Sequence, residues 1–206
     1  MIFTFAIGDK VLHSNLGIGQ IYEVYDDSIY KVLFKNTTEL CLEKELTLIK
    51  ETVSKSILTL DLGTQMGWAI KSHSQIISGT QLFKDTRFSG GGMRFYLFQK
   101  WLVSTYSTGS ISEIWYEEVA KHGINNQTAV AHTYGGFLAT LQIFCEDNKI
   151  PYQGVPVGTI KKHITGKGNA NKQMVIDAIK LKGFNPKDDN EADALAILDY
   201  VLYGIK

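Results

Sequence analysis

Ser56-Ile57-Leu58-Thr59-Leu60-Asp61-Leu62-Gly63-Thr64 is a short apolar run that ends in a carboxylate and a glycine, the pattern of a β-strand opening onto a turn. Working outward, further strands are expected at 66–71 and 75–82, then a glycine-rich loop at Gly90-Gly91-Gly92 and a helix from Met93 to Tyr106. A strand at 111–118 ending near Glu117 follows, then a long helix from Asn126 to Asn148, a strand at 151–155, and two or three helices within 157–204. Three antiparallel strands followed by alternating helices and strands predict an α/β mixed sheet flanked by helices on both faces.

That order is the order of a ribonuclease H-like fold. Its final helices have legible ends. Asn169 or Asn171 can cap Lys172 to Lys182, whose apolar positions Met174, Ala178 and Leu181 recur at helical spacing before Gly183 stops the run. Pro186 introduces the last helix, where Leu195, Ile197, Leu198, Val201 and Leu202 make the buried stripe. Asp193 sits one turn before Ile197, at the edge of that stripe, and a carboxylate there is costly to bury unless it is paired or coordinates something.

The first fifty residues read differently. Short strands around Lys10-Val11-Leu12-His13, Gln20 to Val24 and Ile29 to Phe34 are separated by Gly, Asn and Asp turns, which predicts a small antiparallel β-barrel over 1–50. Polar Lys50 to Ser56 reads as a linker to a main domain at 56–206. His13 is expected as a packed turn residue. Cys41 and Cys145 lie far apart without metal-ligand spacing and are expected as buried reduced thiols.

No apolar run approaches the roughly 20 residues of a membrane span, and Met1 to Ile7 lacks the basic start of a signal peptide. A cytoplasmic protein is expected, in the host cytoplasm if phage-encoded. Zero formal net charge argues against bulk coating of nucleic acid. Locally, however, Lys161, Lys162, Lys167 and Lys172 stand in a stretch whose one acid is Asp177, and such a stretch suits phosphate contacts as well as a solvated helix face.

Carboxylates at strand ends together with a carboxylate-bearing helix suggest phosphodiester hydrolysis. That reaction needs an activated water and a neutralised leaving oxygen, and two divalent ions about 4 Å apart do both. Magnesium, two per site with Mn2+ able to substitute, takes oxygen ligands from separate elements. The candidates are Asp61, with Gly63 easing its turn, Glu117, and Asp193 with Asn190 three residues before it on one helix face. Asp189 is the alternative fourth ligand. Each has a plainer reading: Asp61 as a turn residue, and Asp188 to Asn190 as acids favoured by a helix N-terminus; Glu117 and Glu118 adjoin on alternating faces, so one must point away from the site, and Glu117 is preferred, with Glu118 facing solvent or paired with Lys121. His122 and His132 are expected to be structural.

Two resemblances follow from these residues. Residues 56–204 resemble the RuvC family of Holliday-junction resolvases through Ile57 to Thr64 with Gly67-Trp68-Ala69, through Tyr116-Glu117-Glu118-Val119, and through Ala192-Asp193-Ala194-Leu195-Ala196. The resemblance implies a homodimeric, magnesium-dependent endodeoxyribonuclease that resolves four-way junctions in branched DNA by paired symmetric nicks. Asp61, Glu117 and Asp193 would be metal ligands and Lys161 and Lys172 DNA contacts. Asn190 departs from the acid or histidine usual at its place. Gly8-Asp9-Lys10-Val11-Leu12-His13 with Leu16 to Ile21 resembles SH3-like Tudor and CarD-like modules, which implies a protein partner or a nucleic-acid accessory role. This extra module points to a phage or mobile-element variant.

Three other readings compete. A branched-DNA or flap nuclease is the near neighbour. A catalytically degenerate DNA-binding adaptor is supported by Asn190. An actin-like ATPase lobe would share Asp61-Leu62-Gly63-Thr64, but the chain lacks room for a second lobe.

Overall fold

The structure, a computed structural model, describes residues 4–26, 28–48, 55–85, 90–108, 111–119 and 128–205. The chain divides into two compact units, Met1–Ser54 and Lys55–Lys206. Most of the expected linker, Lys121, His122 and the expected helix start at Asn126 lie outside the described residues. No described helix is long and apolar enough to cross a membrane.

In the first unit β1 (Lys10–His13), β2 (Gly17–Val24), β3 (Ile29–Leu33), β4 (Thr38–Leu42) and β5 (Leu46–Leu48) form an antiparallel sheet in the order β4-β3-β2-β1-β5. A 3-10 turn, Glu43–Glu45, joins the two ends of that order directly. Leu42 and Leu46 can therefore stand at most about 14 Å apart, whereas five strands laid flat would separate their outermost members by about 19 Å. The sheet must curl, and it does so around Val11, Ile21, Tyr30, Val32 and Leu46. Among the described residues the pairing is that of a curled sheet with β4 and β5 as its ends, not of a closed barrel. His13 is nearly buried, and its Nδ1 accepts the backbone N–H groups of Asn15 and Leu16, which makes it the turn residue expected.

The second unit holds β6 (Ile57–Asp61), β7 (Gln65–Ser72), β8 (Gln75–Leu82), α1 (Met93–Thr108), β9 (Glu113–Glu118), α2 (Thr128–Asn148), β10 (Tyr152–Pro156), α3 (Val157–Thr165), α4 (Lys172–Leu181) and α5 (Asp189–Tyr203). Its sheet runs β10-β9-β6-β7-β8, with β6, β9 and β10 parallel and β7 and β8 antiparallel to their neighbours. Strand β6 is central, and alternation sends its side chains to two separate cores. Leu58 and Leu60 meet Phe98 and Leu102 of α1 and Phe137 and Leu141 of α2. Ile57, with Ala69 of β7, faces the layer of α3, α4 and α5.

Helix α5 is buried along most of its length because Ala192, Ala194 and Ala196 let its backbone come close to the sheet. Helix α4 begins at Asn171, whose Oδ1 accepts the Met174 N–H at 3.0 Å, and stops before Gly183 at φ +91°. On α2, Gly136 serves packing within the chain. A Cβ there would lie 2.3 Å from the Phe95 ring of α1, while Gly135 has open space. Cys41 and Cys145 are free and buried.

Candidate active site

Parallel pairing of β6 with β9 sets Leu60 opposite Tyr116, so Asp61 and Glu117, the next residues on each strand, end side by side at one edge of the sheet. Their faces follow from alternation. Leu60 and Tyr116 belong to the α1–α2 core, and Thr59 and Trp115 turn to the α5 side, which places Asp61 and Glu117 on that side too. Glu118 has the opposite parity and is exposed. Glu117 is thus the strand-end acid that shares a face with Asp61.

Helix α5 is fastened to the same face by two contacts. Thr59 Oγ1 donates to the Ala194 carbonyl at 2.8 Å, inside the core and across the sequence. Gly67, paired in register with Asp61, lies directly under the start of α5, where a Cβ would sit 1.8 Å from the Asn190 carbonyl oxygen. Only a residue without a side chain admits the helix there. By contrast a Cβ at Gly63 would meet nothing closer than 3.7 Å, so the close approach belongs to Gly67.

The acid run 188–193 then splits into two sets. Asp188 caps α5, its Oδ1 accepting the Glu191 N–H at 2.9 Å and the Thr80 hydroxyl at 2.7 Å. Glu191 is buried and accepts from Ser78 Oγ at 2.7 Å and from the Lys187 N–H at 2.8 Å. These two acids tie the helix to β8. Asp189, Asn190 and Asp193, three and four residues apart, share another side of the helix and remain half-buried.

Electrostatics show which groups share a space. Burial and the neighbouring charges of Glu117, Asp193 and Asp189 hold the Asp61 carboxyl well above the usual range, with Lys172 acting against them. Glu117 is pushed up to about 7 by burial and by Asp193, opposed by Lys161. Asp193 rises to about 6 through burial, opposed by Lys161 and Lys172 and reinforced by Asp189. Asp189 is lowered by its ion pair with Lys172, whose ammonium is raised in return.

The four acids and two lysines therefore form one electrostatic cluster, with Lys161 reaching it from α3 and Lys172 from the first position of α4. Lys162 and Lys167 are exposed nearby in sequence, and His132 is exposed on α2. Sequence reasoning assigns no role to Tyr134, whose hydroxyl donates to the Glu117 carbonyl at 2.9 Å and accepts the Val119 N–H at 3.4 Å, holding the end of β9. Ser78, Thr80 and Gly67 were missed in the same way. Each acts through a partner distant in the chain, so only the alternation that puts Thr59 beside Asp61 was there to be read.

Among the described residues no three or more His, Cys, Asp or Glu side chains are drawn together tightly enough to hold a metal ion as they stand. The donor chemistry nevertheless suits a hard divalent cation. It offers carboxylate and amide oxygens without sulfur or imidazole, and its acids are raised by burial first and then by repulsion, from Glu117 and Asp193 at Asp61 and from Asp193 at Glu117, which a cation would relieve.

No family model matches the chain. It is 27% identical over 151 residues to the crossover junction endodeoxyribonuclease RuvC of Wolbachia sp. subsp. Drosophila simulans (strain wRi), an alignment that covers 68% of this chain and 90% of that one. Among solved structures it superposes on T. thermophilus RuvC in complex with a Holliday junction substrate with a TM-score of 0.60 at 19% identity, covering 73% of this chain and 94% of that one. The yeast mitochondrial Holliday junction resolvase superposes with a TM-score of 0.51 at 12% identity, covering 70% and 76%. The chain carries the fold of these structures, and about two thirds of it aligns in sequence with RuvC.

Proposed function

We propose that the chain is a divalent-metal-dependent, structure-selective endodeoxyribonuclease of the RuvC kind that resolves four-way DNA junctions. One observation carries the reading: Asp61 and Glu117 end side by side on paired strands, on the face that α5 covers, where Asp61 feels the charges of Glu117 and Asp193 and Glu117 feels that of Asp193. With Asn190 they would hold magnesium, two ions per site, and Mn2+ would substitute. Bound there, the cations would supply a hydroxide-like water and stabilise the leaving 3′-oxygen.

The chain's own groups supply the positioning. Thr59 and Gly67 set α5 against β6 and β7, and Tyr134 holds the strand end behind Glu117. Lys161 and Lys172, already within the field of the carboxylates, would attract the phosphates of branched DNA, with Lys162 and Lys167 extending that contact. Asp189, bound to Lys172, is less suited than Asn190 to be the fourth ligand. The adaptor reading rests on Asn190 alone, and an amide oxygen still ligates.

Paired symmetric nicks would require a homodimer, and the protein would act in the cytoplasm. Residues 1–50 would form an SH3-like module that recruits a protein partner. The deciding experiment is cleavage of a synthetic four-way junction in magnesium. Wild type should cut, and Asp61→Asn and Asp193→Asn should each lose about 100-fold or more. Cutting that survives both substitutions would overturn the proposal.

A further inference from the structure

Helix α3, which carries Lys161, is short, and its buried stripe consists of Ile160 and Ile164. At about 100° per residue these two side chains stand about 40° apart, with Lys161 about 80° to one side of their midline and His163 about 80° to the other. A roll of the helix that lifts His163 off its neighbours therefore turns Lys161 through the same angle. Two isoleucines fix that roll only loosely, because apolar contact is non-directional.

His163 is held from three sides. Its Nε2 meets Asp199 Oδ2 of α5 at 2.7 Å, and since a carboxylate only accepts, Nε2–H is the donor. The Tyr200 ring packs edge-on to the imidazole, 5.6 Å between centroids. Gly204 lies so near that a Cβ there would be 2.8 Å from His163 Nδ1. Asp199 is buried and also takes Lys182 Nζ, at the end of α4, at 3.0 Å. One carboxylate thus ties α3 and α4 to the helix that carries Asp193, from a point about 9 Å further along it.

We propose that His163, held by Asp199, is a positioning residue for Lys161: it sets the roll of α3 that points the lysine at the carboxylates. The inference rests on the nuclease reading above and adds to it a residue outside the site. Two observations favour positioning over plain stabilisation. The His163–Asp199 pair is buried, and such a pair contributes little net stability because desolvation offsets its attraction, whereas its geometry is directional. The charge of Lys161 also acts on both Glu117 and Asp193, so α3 in its present roll delivers the ammonium to the acids of β9 and α5 alike.

The test is a double-mutant cycle in the full chain. At saturating four-way junction in magnesium, His163→Ala should slow cutting by about tenfold or more. His163→Gln, whose amide can donate to Asp199, should recover most of that loss. In a Lys161→Ala background the same His163→Ala change should slow the residual cutting by no more than about twofold. Asp199 keeps Lys182 in all these variants, so its charge is not left unpaired in the core. Melting separates the two roles, since the fall caused by His163→Ala should be equal in both backgrounds. Equal slowing of cutting in both backgrounds, or cutting by His163→Ala at the wild-type rate, would refute the inference.

Junction binding without divalent cation supplies a second arm. Lys161→Ala should reduce the salt slope of affinity by about one. His163→Ala should reduce it to a similar extent, and the double variant should go no lower. Reductions that add, or a His163→Ala slope equal to wild type, would count against positioning. If wild type cuts nothing in Mg2+ or Mn2+, the nuclease reading fails, while this arm still decides whether His163 acts through Lys161.

Discussion

Gly67 and Asn190 are pressed together so closely that a Cβ on the glycine would lie 1.8 Å from the asparagine carbonyl oxygen. The contact joins the strand beside Asp61 to the helix that carries Asp193, and so fixes the separation of two candidate ligands. Gly67→Ala should displace the first turn of α5. Overpacking of this kind costs about 1–3 kcal/mol, and junction cleavage should fall further than that loss of stability explains. Melting curves and cutting rates on the same preparation check this; a variant equal to wild type in both would show that the helix start is free to shift.

Thr59 is the buried counterpart of that contact. Thr59→Val keeps the shape but removes the donor to the Ala194 carbonyl. Stability should drop by about 1–2 kcal/mol in urea unfolding, with the midpoint moving and the slope unchanged.

Proton affinity in the cluster makes stability depend on pH in a definite direction. Glu117 at about 7 and Asp193 at about 6 lie above their unfolded values of about 4. The folded state therefore holds these protons more tightly. Their contribution is complete below about pH 4 and is lost as pH rises through about 6 to 7. Metal-free protein should melt at progressively lower temperature from pH 5 to pH 8, Asp193→Asn should flatten the trend, and magnesium at pH 8 should reverse it. A melting temperature that climbs across this window would contradict the assignment.

Asn190 and Asp189 can be told apart by substitution. Because Asp189 is engaged by Lys172, Asp189→Asn should change the magnesium dependence of cutting by no more than about threefold, the scale of a surface ion pair. Asn190→Ala should raise the magnesium requirement by about tenfold or more. The reverse ranking would make Asp189 the ligand.

The fold was legible where local pattern and global role agree. Strand β6 from Ile57 to Asp61, strand β8 from Gln75 to Leu82, the Asn171 cap and the Gly183 stop all rest on short-range chemistry. The choice of Glu117 over Glu118 needed only the period of two along β9. In the first unit the curl was expected but not the open order, whose opposite ends are joined by a three-residue turn. The division of labour in 188–193 was not legible at all. Asp188 and Glu191 look like their neighbours in sequence, and only Thr80 and Ser78, more than a hundred residues away, show that they hold the helix.

The central claim is that Asp61, Glu117, Asn190 and Asp193 surround one cation-binding space. Anomalous diffraction from crystals of the full chain soaked in Mn2+ measures this directly. The account predicts manganese peaks within coordination distance, about 2.0–2.3 Å, of oxygens from Asp61, Glu117 and Asp193. Manganese bound elsewhere with this space left vacant, in protein that still cuts junctions, would contradict it.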